Sequence, residues 1–216
     1  MLSALKRVFL PRAVCPRRIL FGPAAGVVMN IDFAHQARMF FGLYEMELAP
    51  YLRRLVRPGS RCFDVGAHVG YHSLMFARLS RQPVVAFEPD AAAALRLREN
   101  LALNRFDIRL VPLAVGAADG DKTISLDRAA ATHFVPDLVK IDIEGGEVDA
   151  LAGAARLLQT RRPHLIVETH GLDLERSCAA RLGACGYAPR AIRPRRFFAE
   201  TRPALHNGWL VCEGRA

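Results

Sequence analysis

The sequence predicts an α/β fold in which helices cover both faces of a mostly parallel sheet, as a three-layer sandwich. Residues 61–90, RCFDVGAHVGYHSLMFARLSRQPVVAFEPD, contain apolar runs at 62–65 and 84–87. A glycine loop and a helical stretch at 71–81 separate the two runs. This is the pattern of a β-α-β unit, which implies parallel strands and a right-handed crossover. Further apolar runs alternate with helical segments to about residue 186.

The other elements follow from apolar periodicity and from glycine or proline at their ends. Predicted helices cover residues 44–56, 91–104, 127–131, 147–160 and 174–185. Predicted strands cover residues 108–115, 123–126, 137–143, 164–169, 187–192 and 208–212, the last two antiparallel. Residues 18–32 predict a hairpin around Gly22-Pro23. We expect an N-terminal extension with this β-hairpin over residues 1–43 and a main domain over residues 44–216.

Length and composition indicate one main domain with a sizeable core. The chain has 216 residues, 51% of them hydrophobic. No apolar run approaches the roughly 18–20 residues of a membrane span, so no transmembrane segment is predicted. Pro11, Arg12 and Pro16 interrupt the first apolar runs, and a signal peptide is therefore not expected. A peripheral basic anchor at the N-terminus stays open.

The cysteines predict a reducing environment. They are odd in number, scattered and without a C-x-x-C pair: Cys15, Cys62, Cys178, Cys185 and Cys212. We expect buried free thiols, which favours a cytoplasmic location. Cys178 and Cys185 are spaced for one helix face, where packing is favoured over a metal pair.

The chain is basic, with a net charge of +9. Lysine contributes only Lys6, Lys122 and Lys140 to its 30 basic residues, a skew more typical of coding composition than of a nucleic-acid footprint. The densest basic cluster surrounds two phenylalanines: Arg190, Arg193, Arg195, Arg196, Phe197, Phe198 and Arg202. Such a cluster suits RNA or an anionic substrate, and a solvated face is the simpler interpretation.

Chemistry-bearing residues fall where two neighbouring strands end. Asp64 lies near the end of the first strand, Gly66 and Gly70 frame the loop after it, and Glu88 follows the second strand. Ligands of open parallel sheets bind at the carboxyl ends of the strands. Glycine permits close approach to the backbone, and the carboxylate of Glu88 can accept hydrogen bonds from two ribose hydroxyls. The sequence therefore predicts a pocket for an adenosine-containing ligand.

The loop favours S-adenosylmethionine over a dinucleotide. A nicotinamide or flavin dinucleotide prefers G-x-G-x-x-G, whereas residues 66–70 are GAHVG. The carboxylate of Asp64 would repel a pyrophosphate but attract the ammonium and sulfonium groups of S-adenosylmethionine. A dinucleotide stays open as an alternative. So does the simpler interpretation, in which Asp64 caps a turn and Glu88 begins a helix.

An ordered set of motifs runs through most of the chain. It comprises FDVGAHVGYHSL, VVAFEPD, NLALN, LVPLAVG, SLD, LVKIDIEGGEVDALAGA and LIVETH, and with GLYEMEL it spans residues from about 44 to 170. Above all through AFEPD with KIDIEGGE, the sequence resembles the FkbM-type S-adenosylmethionine-dependent methyltransferases. The resemblance implies a class I methyltransferase (Rossmann-like) fold with sheet order 3-2-1-4-5-7-6. It also implies methyl transfer to a hydroxyl oxygen, often on a sugar, a polyketide or another metabolite.

The resemblance implies roles for individual residues as well. The implied cofactor-binding residues are Asp64, Gly66, His68 and Gly70 around the methionine end, Glu88 at the ribose, and Ala114 and Val115 beside the adenine. Asp142 and Glu144 would line the site at the end of the fourth strand. His68 stands where the family often has asparagine, and it too can donate or accept a hydrogen bond. His72 is expected on the helix surface.

A hydroxyl acceptor must lose a proton, and three residues are candidate catalytic bases: Asp142, Glu144 and His170. His170 follows the fifth strand, and Glu168 is on the same strand face. Lys140 is two residues before Asp142 and is expected to pair with it. These acids and this histidine are also potential metal ligands, but their spacing is not diagnostic and no metal is predicted.

Two other functions stay open, and the sequence leaves the oligomeric state undecided. The positive charge and the Arg/Phe segment motivate an RNA or protein methyltransferase, although a small-molecule hydroxyl acceptor is favoured over nucleic acid as partner. Only residues 117–124 separate Gly116 from Ser125, where the family usually has a longer segment. This short connection motivates a non-catalytic module that binds S-adenosylmethionine, because fold likeness alone does not establish activity.

Overall fold

The structure of the chain is a computed structural model that describes residues 13–194 and 208–214. In chain order its strands are β1 (Cys15–Arg18), β2 (Val28–Ile31), β3 (Cys62–Val65), β4 (Val84–Phe87), β5 (Ile108–Val111), β6 (Ala114–Val115), β7 (Thr123–Ile124), β8 (Leu138–Ile141), β9 (His164–Thr169), β10 (Arg190–Ile192) and β11 (Gly208–Cys212). Its helices are α1 (Phe33–Phe40), α2 (Ala49–Leu55), α3 (Tyr71–Ser80), α4 (Ala91–Ala102), α5 (Leu126–Thr132), α6 (Glu147–Ala152), α7 (Ala155–Thr160) and α8 (Leu172–Ala184). A 3-10 helix, Met46–Leu48, precedes α2.

A seven-stranded sheet runs through the centre in the order β5-β4-β3-β8-β9-β11-β10. The first five of these strands are parallel, and β11 is antiparallel to both β9 and β10. Numbered along the chain within this sheet, the order is 3-2-1-4-5-7-6, as predicted. The chain leaves β3 toward β4 on one side and later returns to β8 on the other. The strand order therefore reverses between β3 and β8, where open α/β sheets bind their ligands.

Helices cover both faces of the sheet, which confirms the three-layer α/β prediction. Along β3, Cys62 packs into one apolar cluster with α2, α3 and the N-terminal hairpin, and Phe63 and Val65 pack into a second with α5 to α8. This alternation follows from the two-residue period of a strand. All four residues of each of β3, β4 and β8 are buried, because the strands are covered from both sides.

Two predicted elements are divided in the structure. The predicted strand 108–115 ends at Val111, because Pro112 has no N–H to donate to a neighbouring strand; β6 pairs instead with β7. The predicted helix 147–160 is split into α6 and α7 at Gly153, where a Cβ atom would overlap the backbone carbonyl of Gly116. Both breaks arise from contacts that apolar periodicity does not report.

The other boundaries shift by a few residues. The hairpin forms as predicted, but its first strand is β1, which lies earlier than residues 18–32 suggested. The predicted helix 44–56 begins with the 3-10 turn, and Pro50 lies at the start of α2, where its missing N–H costs little. All five cysteines are free thiols, and Cys62, Cys178 and Cys212 are buried. In the described parts of the chain, no helix combines the length and apolarity needed to cross a bilayer.

The N-terminal hairpin packs into the same core as the central sheet. Buried Met29 and Ile31 of β2 belong to the cluster that also contains Leu74 of α3. The buried side chain of Asn100 on α4 fixes this arrangement. Its Oδ1 accepts a hydrogen bond from the backbone N–H of Asn30 at 2.8 Å, and its Nδ2 donates to the carbonyl of Val69 at 2.8 Å. One amide therefore joins the hairpin to the glycine loop.

Asn100→Ala tests this connection. The change leaves the N–H of Asn30 and the carbonyl of Val69 without their partner, and each unpaired buried group costs about 1–3 kcal/mol. We expect urea denaturation to show a loss of at least about 2 kcal/mol in the free energy of unfolding. The matched control, Glu99→Ala, changes an exposed neighbour on α4 and should shift it by less than about 0.5 kcal/mol. Equal effects of the two changes would contradict this role of Asn100.

Candidate active site

The loop between β3 and α3 brings the backbone of two strand ends into contact. Gly66 has a φ of +80°, and a Cβ atom there would overlap the backbone carbonyl of Asp142, just beyond β8. Gly70 has a φ of +87° at the N-terminus of α3, and a Cβ atom there would overlap the side chain of Leu97. Only glycine meets both the conformational and the spatial requirement at these positions. The loop therefore exposes backbone rather than side chains toward the end of β3.

Glu88 holds that loop from the neighbouring strand end. Its Oε2 accepts a hydrogen bond from the backbone N–H of His68 at 2.7 Å, and its Oε1 accepts one from the backbone N–H of Asp90 at 2.9 Å. A carboxylate offers about four acceptor positions, so both oxygens retain capacity for a hydroxyl donor. Asp90 in turn caps α4 by accepting from the N–H of Ala93. The predicted start of this helix at Asp90 is confirmed.

Asp64 is a buried carboxylate with one oxygen unused. Its Oδ2 accepts a hydrogen bond of 2.5 Å from the hydroxyl of Ser73 on α3. Within the described part of the chain, its Oδ1 is buried and has no hydrogen-bond partner. A buried carboxylate oxygen without a donor is costly. The atom is therefore suited to an ammonium donor from a ligand at the end of β3.

A lysine, an aspartate and a histidine meet at the ends of β8 and β9. The ammonium of Lys140 lies 3.1 Å from Oδ2 of Asp142, and Nε2 of His170 lies 3.3 Å from Oδ1 of the same carboxylate. Lys140 is buried and Asp142 is partly exposed. The predicted Lys140–Asp142 pair is confirmed, whereas the contact of Asp142 with His170 was not predicted.

The charges in this cluster stabilise one another. Burial raises the pKa of Asp142, but the charge of Lys140 and the hydrogen bonds from His170 and Lys140 outweigh it and hold the pKa well below its usual range. Burial lowers the pKa of Lys140, but the surrounding carboxylates, led by Asp142, hold that pKa above its usual value. The pair is therefore ionised at neutral pH. Because an ionised carboxylate only accepts hydrogen bonds, His170 donates from Nε2 and its Nδ1 is then the basic ring nitrogen in the neutral form.

Two further glutamates fix the surroundings of His170. Glu168 is buried on β9 and accepts a hydrogen bond from the indole N–H of Trp209 at 3.2 Å. Glu147 is buried at the start of α6, accepts from the N–H of Gly145 at 2.9 Å, and has Oε1 4.0 Å from Nε2 of His170. The periodicity of this segment did not reveal the approach of Glu147 to His170. Its position directly after two glycines was the available sign that it folds a tight turn.

Ligand atoms of Asp142, Glu168 and His170 all lie within 4.8 Å of one another, which is the composition and spacing of a potential metal site. The ammonium of Lys140 already lies against Asp142 and supplies a positive charge there. The expectation that no metal is bound stays a prediction.

The prediction that His72 lies on the helix surface is wrong. His72 is buried on α3, and its Nε2 lies 3.3 Å from Oε2 of Glu45, which is also buried. Burial raises the pKa of Glu45, but His72 and then Lys140 outweigh it and lower the pKa. Glu45 adopts a left-handed backbone conformation with a φ of +46°, which non-glycine residues seldom take. Helical periodicity could not reveal this pair, because the partner comes from a different segment.

Comparison with known proteins shows what part of the chain is similar to. Residues 120–207 match the Methyltransferase FkbM domain. The chain is also 31% identical over 138 residues to the hexuronic acid methyltransferase AglP of Haloferax volcanii. Part of the chain is therefore similar in sequence to FkbM methyltransferases. The AglP match covers 51% of this chain and 56% of that relative, so the chain spans little more than half of its length.

Solved structures show the same fold. The FkbM methyltransferase of Methylobacillus flagellatus superposes with a TM-score of 0.58 at 16% identity, covering 85% of this chain and 56% of the other. Aeropyrum pernix fibrillarin, solved with natively bound S-adenosylmethionine, superposes with a TM-score of 0.55 at 11% identity, covering 73% and 68%. At such identities the likeness concerns the fold alone, and the predicted class I methyltransferase fold is confirmed.

The site residues predicted from sequence occupy different parts of the site. Asp64, Gly66, Gly70 and Glu88 frame one corner, and Asp142 and His170 frame the next. His68 contributes its backbone N–H, while its side chain is exposed. Glu144 is exposed, and within the described residues it makes no side-chain hydrogen bond or ion pair with Asp142 or His170.

The residues predicted to flank the adenine lie just beyond β5. Ala114 is half-buried, and Val115 packs into the apolar cluster that contains Ile124 and Leu126. Their contact with adenine stays a prediction. Of the Arg/Phe cluster, Arg190 and Arg193 are described and Arg193 pairs with Glu175; the other members lie outside the described residues.

Lys140→Met tests the electrostatic balance of this site. Methionine fills a similar volume but leaves the buried carboxylates without their cation, and breaking a buried ion pair costs about 3–5 kcal/mol. We expect a loss of that size in the free energy of unfolding at pH 7, measured by urea denaturation. Lys122→Met, at an exposed lysine, is the control and should change it by less than about 0.5 kcal/mol. A stable Lys140→Met protein would contradict the inferred role of the ammonium.

Proposed function

We propose that the protein is an S-adenosylmethionine-dependent methyltransferase that methylates a hydroxyl oxygen on a sugar or another small metabolite. The observation that carries the proposal is the corner formed by Asp64, the glycine loop and Glu88 at neighbouring strand ends, in an FkbM-type sequence. A carboxylate beside a close-approach loop suits a cationic amino-acid group, and a second carboxylate suits a ribose. A pyrophosphate would be repelled by Asp64.

The chain's residues fit this cofactor. The unpaired Oδ1 of Asp64 would accept from the ammonium group, Gly66 would allow the methionine end to approach the backbone, and Glu88 would accept from the ribose hydroxyls. Ala114 and Val115 would contact the adenine. The cofactor supplies an electrophilic methyl group on a sulfonium. The protein's main task is to align an acceptor oxygen with that methyl, and alignment supplies up to about 7–11 kcal/mol.

His170 is the residue best suited to take the proton of the acceptor hydroxyl. Asp142 is a poor base, because its low pKa makes the carboxylate reluctant to accept a proton. It instead acts as a positioning residue, which fixes the ring of His170 through Nε2 and stabilises the imidazolium that forms. Nδ1 of His170 would take the hydroxyl proton as the oxygen bonds to the methyl carbon, and the bond from that carbon to sulfur would break to leave S-adenosylhomocysteine. Glu144, at the exposed end of the turn, would line the entrance.

A sugar acceptor is favoured by the sequence relationship. AglP carries the name of a hexuronic acid methyltransferase. The segment that matches the FkbM domain includes the ends of β8 and β9, where Asp142 and His170 lie. A uronic acid presents several hydroxyls and one carboxylate. We therefore place hexuronates first among acceptors, ahead of neutral sugars.

The test is methyl transfer from labelled S-adenosylmethionine to a panel of hexuronates, neutral sugars and total RNA. We expect transfer to a sugar hydroxyl, and His170→Asn should lower kcat by about 10²–10⁴-fold because it removes the base. Cofactor affinity should stay unchanged in this variant. His35→Asn, at an exposed histidine on α1, is the control and should keep full activity.

Three outcomes would contradict the proposal. Full activity of the His170→Asn variant would exclude His170 as the base. Methylation of RNA but of no sugar would favour the nucleic-acid alternative. Cofactor binding without transfer to any acceptor would favour a non-catalytic module.

A further inference from the structure

Two adjoining loops near the N-terminus expose large apolar side chains. Leu20 and Phe21, in the loop after β1, are 46% and 63% exposed. Phe41 and Leu43, in the loop after α1, are 39% and 40% exposed. We call these four side chains the loop patch. Single exposed apolar residues are ordinary, whereas a group on neighbouring loops marks an interaction surface.

The backbone holds the two loops rigidly together. The N–H of Leu20 donates to the carbonyl of Phe40 at 3.0 Å. Gly22 and Gly42 pack so closely that a Cβ atom on Gly42 would overlap the backbone of Phe21. Both glycines have positive φ, of +76° and +68°, so the sequence is specialised for this contact. The loop patch therefore lies on two loops that are hydrogen-bonded and packed against each other.

The part of the sequence that contains the loop patch is rich in basic residues. Residues 1–43 contain six basic side chains against a single carboxylate, Asp32: Lys6, Arg7, Arg12, Arg17, Arg18 and Arg38. The net charge of this fifth of the chain is thus over half of the total of +9. Arg18 is exposed directly beside the first loop, where its guanidinium donates to the carbonyl of Gly26 at 2.9 Å. The exposed Arg78 of α3 approaches the same loop at the carbonyl of Pro23.

We propose that the loop patch docks the protein on the surface of an anionic lipid bilayer. Apolar side chains that protrude from a basic surface insert among acyl chains while arginines contact lipid headgroups, and each contribution reinforces the other. A self-association interface would concentrate the same positive charge on both copies, which opposes pairing. Charge complementarity therefore favours an anionic membrane over a second copy of this chain.

Docking would also orient the candidate active site. Leu43 is two residues before Glu45, whose carboxylate reaches His72 and is electrostatically coupled to Lys140. The loop patch thus lies on the same chain segment that packs against the site. Membrane binding itself does not depend on methyl transfer, so it can be tested separately from the proposed function.

The experiment is sedimentation of the full chain with vesicles of phosphatidylcholine alone or mixed with phosphatidylglycerol, without cofactor or acceptor. We expect binding to the anionic vesicles only, weakening as salt is raised, because salt screens the arginine–headgroup attraction. The double variant Phe21→Ser/Phe41→Ser should bind at least about tenfold more weakly, because two aromatic side chains no longer enter the bilayer. The matched control is Leu95→Ser/Leu172→Ser, which alters exposed leucines on α4 and α8 and should bind like the unaltered chain.

Several results would overturn the proposal. Absence of binding to anionic vesicles by the unaltered chain would do so without any variant. If the two double variants bound anionic vesicles equally well, the attraction would come from charge elsewhere on the protein. A concentration-dependent dimer in sedimentation velocity, abolished by Phe21→Ser/Phe41→Ser and without vesicle binding, would assign the loop patch to self-association.

Discussion

The arrangement of the candidate site depends on one buried cation. Lys140 lies in the centre of the sheet, opposite Asp64 on β3 in the register of the parallel pair. Its ammonium donates a hydrogen bond to the carboxylate of Asp142. Burial lowers the pKa of Lys140, but the negative charges of Asp142, Glu45, Asp64 and Glu168 raise it above its usual value. Buried carboxylates without a cation would protonate or draw in water. Lys140 therefore supplies the positive charge that offsets several carboxylates at the end of the sheet.

The site has two corners, and their positions depend on the charge of Lys140 and on the order of the strands. On one side, the glycine loop and Glu88 form a surface of backbone and carboxylate, which we propose holds the amino-acid and ribose parts of the cofactor. On the other, Asp142 fixes His170 at the end of β9. The reversal of strand order between β3 and β8 brings these corners together, because Gly66 packs directly on the backbone of Asp142. A cofactor and an acceptor held at the two corners would be neighbours.

The sequence predicted those parts of the fold whose signals are local. The β-α-β unit and the strands up to β9 were predictable because apolar runs and glycines mark them within short windows. The division of the helix at Gly153 was not, since it depends on the distant backbone of Gly116. The candidate site shows the same limit. The positions of Asp64, Glu88 and Asp142 were predictable because each lies at or near the end of a predicted strand. The burial of His72 against Glu45 and the turn held by Glu147 depend on tertiary contacts.

The central claim is that the corner of Asp64 and Glu88 binds S-adenosylmethionine. Calorimetric titration of the full chain with S-adenosylmethionine, S-adenosylhomocysteine and NAD tests it most directly. The account predicts binding of the first two and not of NAD. It also predicts that Glu88→Ala, in a protein that still folds, weakens S-adenosylmethionine binding by about 1.5–3 kcal/mol. Binding of NAD alone, or unchanged S-adenosylmethionine affinity in folded Glu88→Ala, would contradict the account.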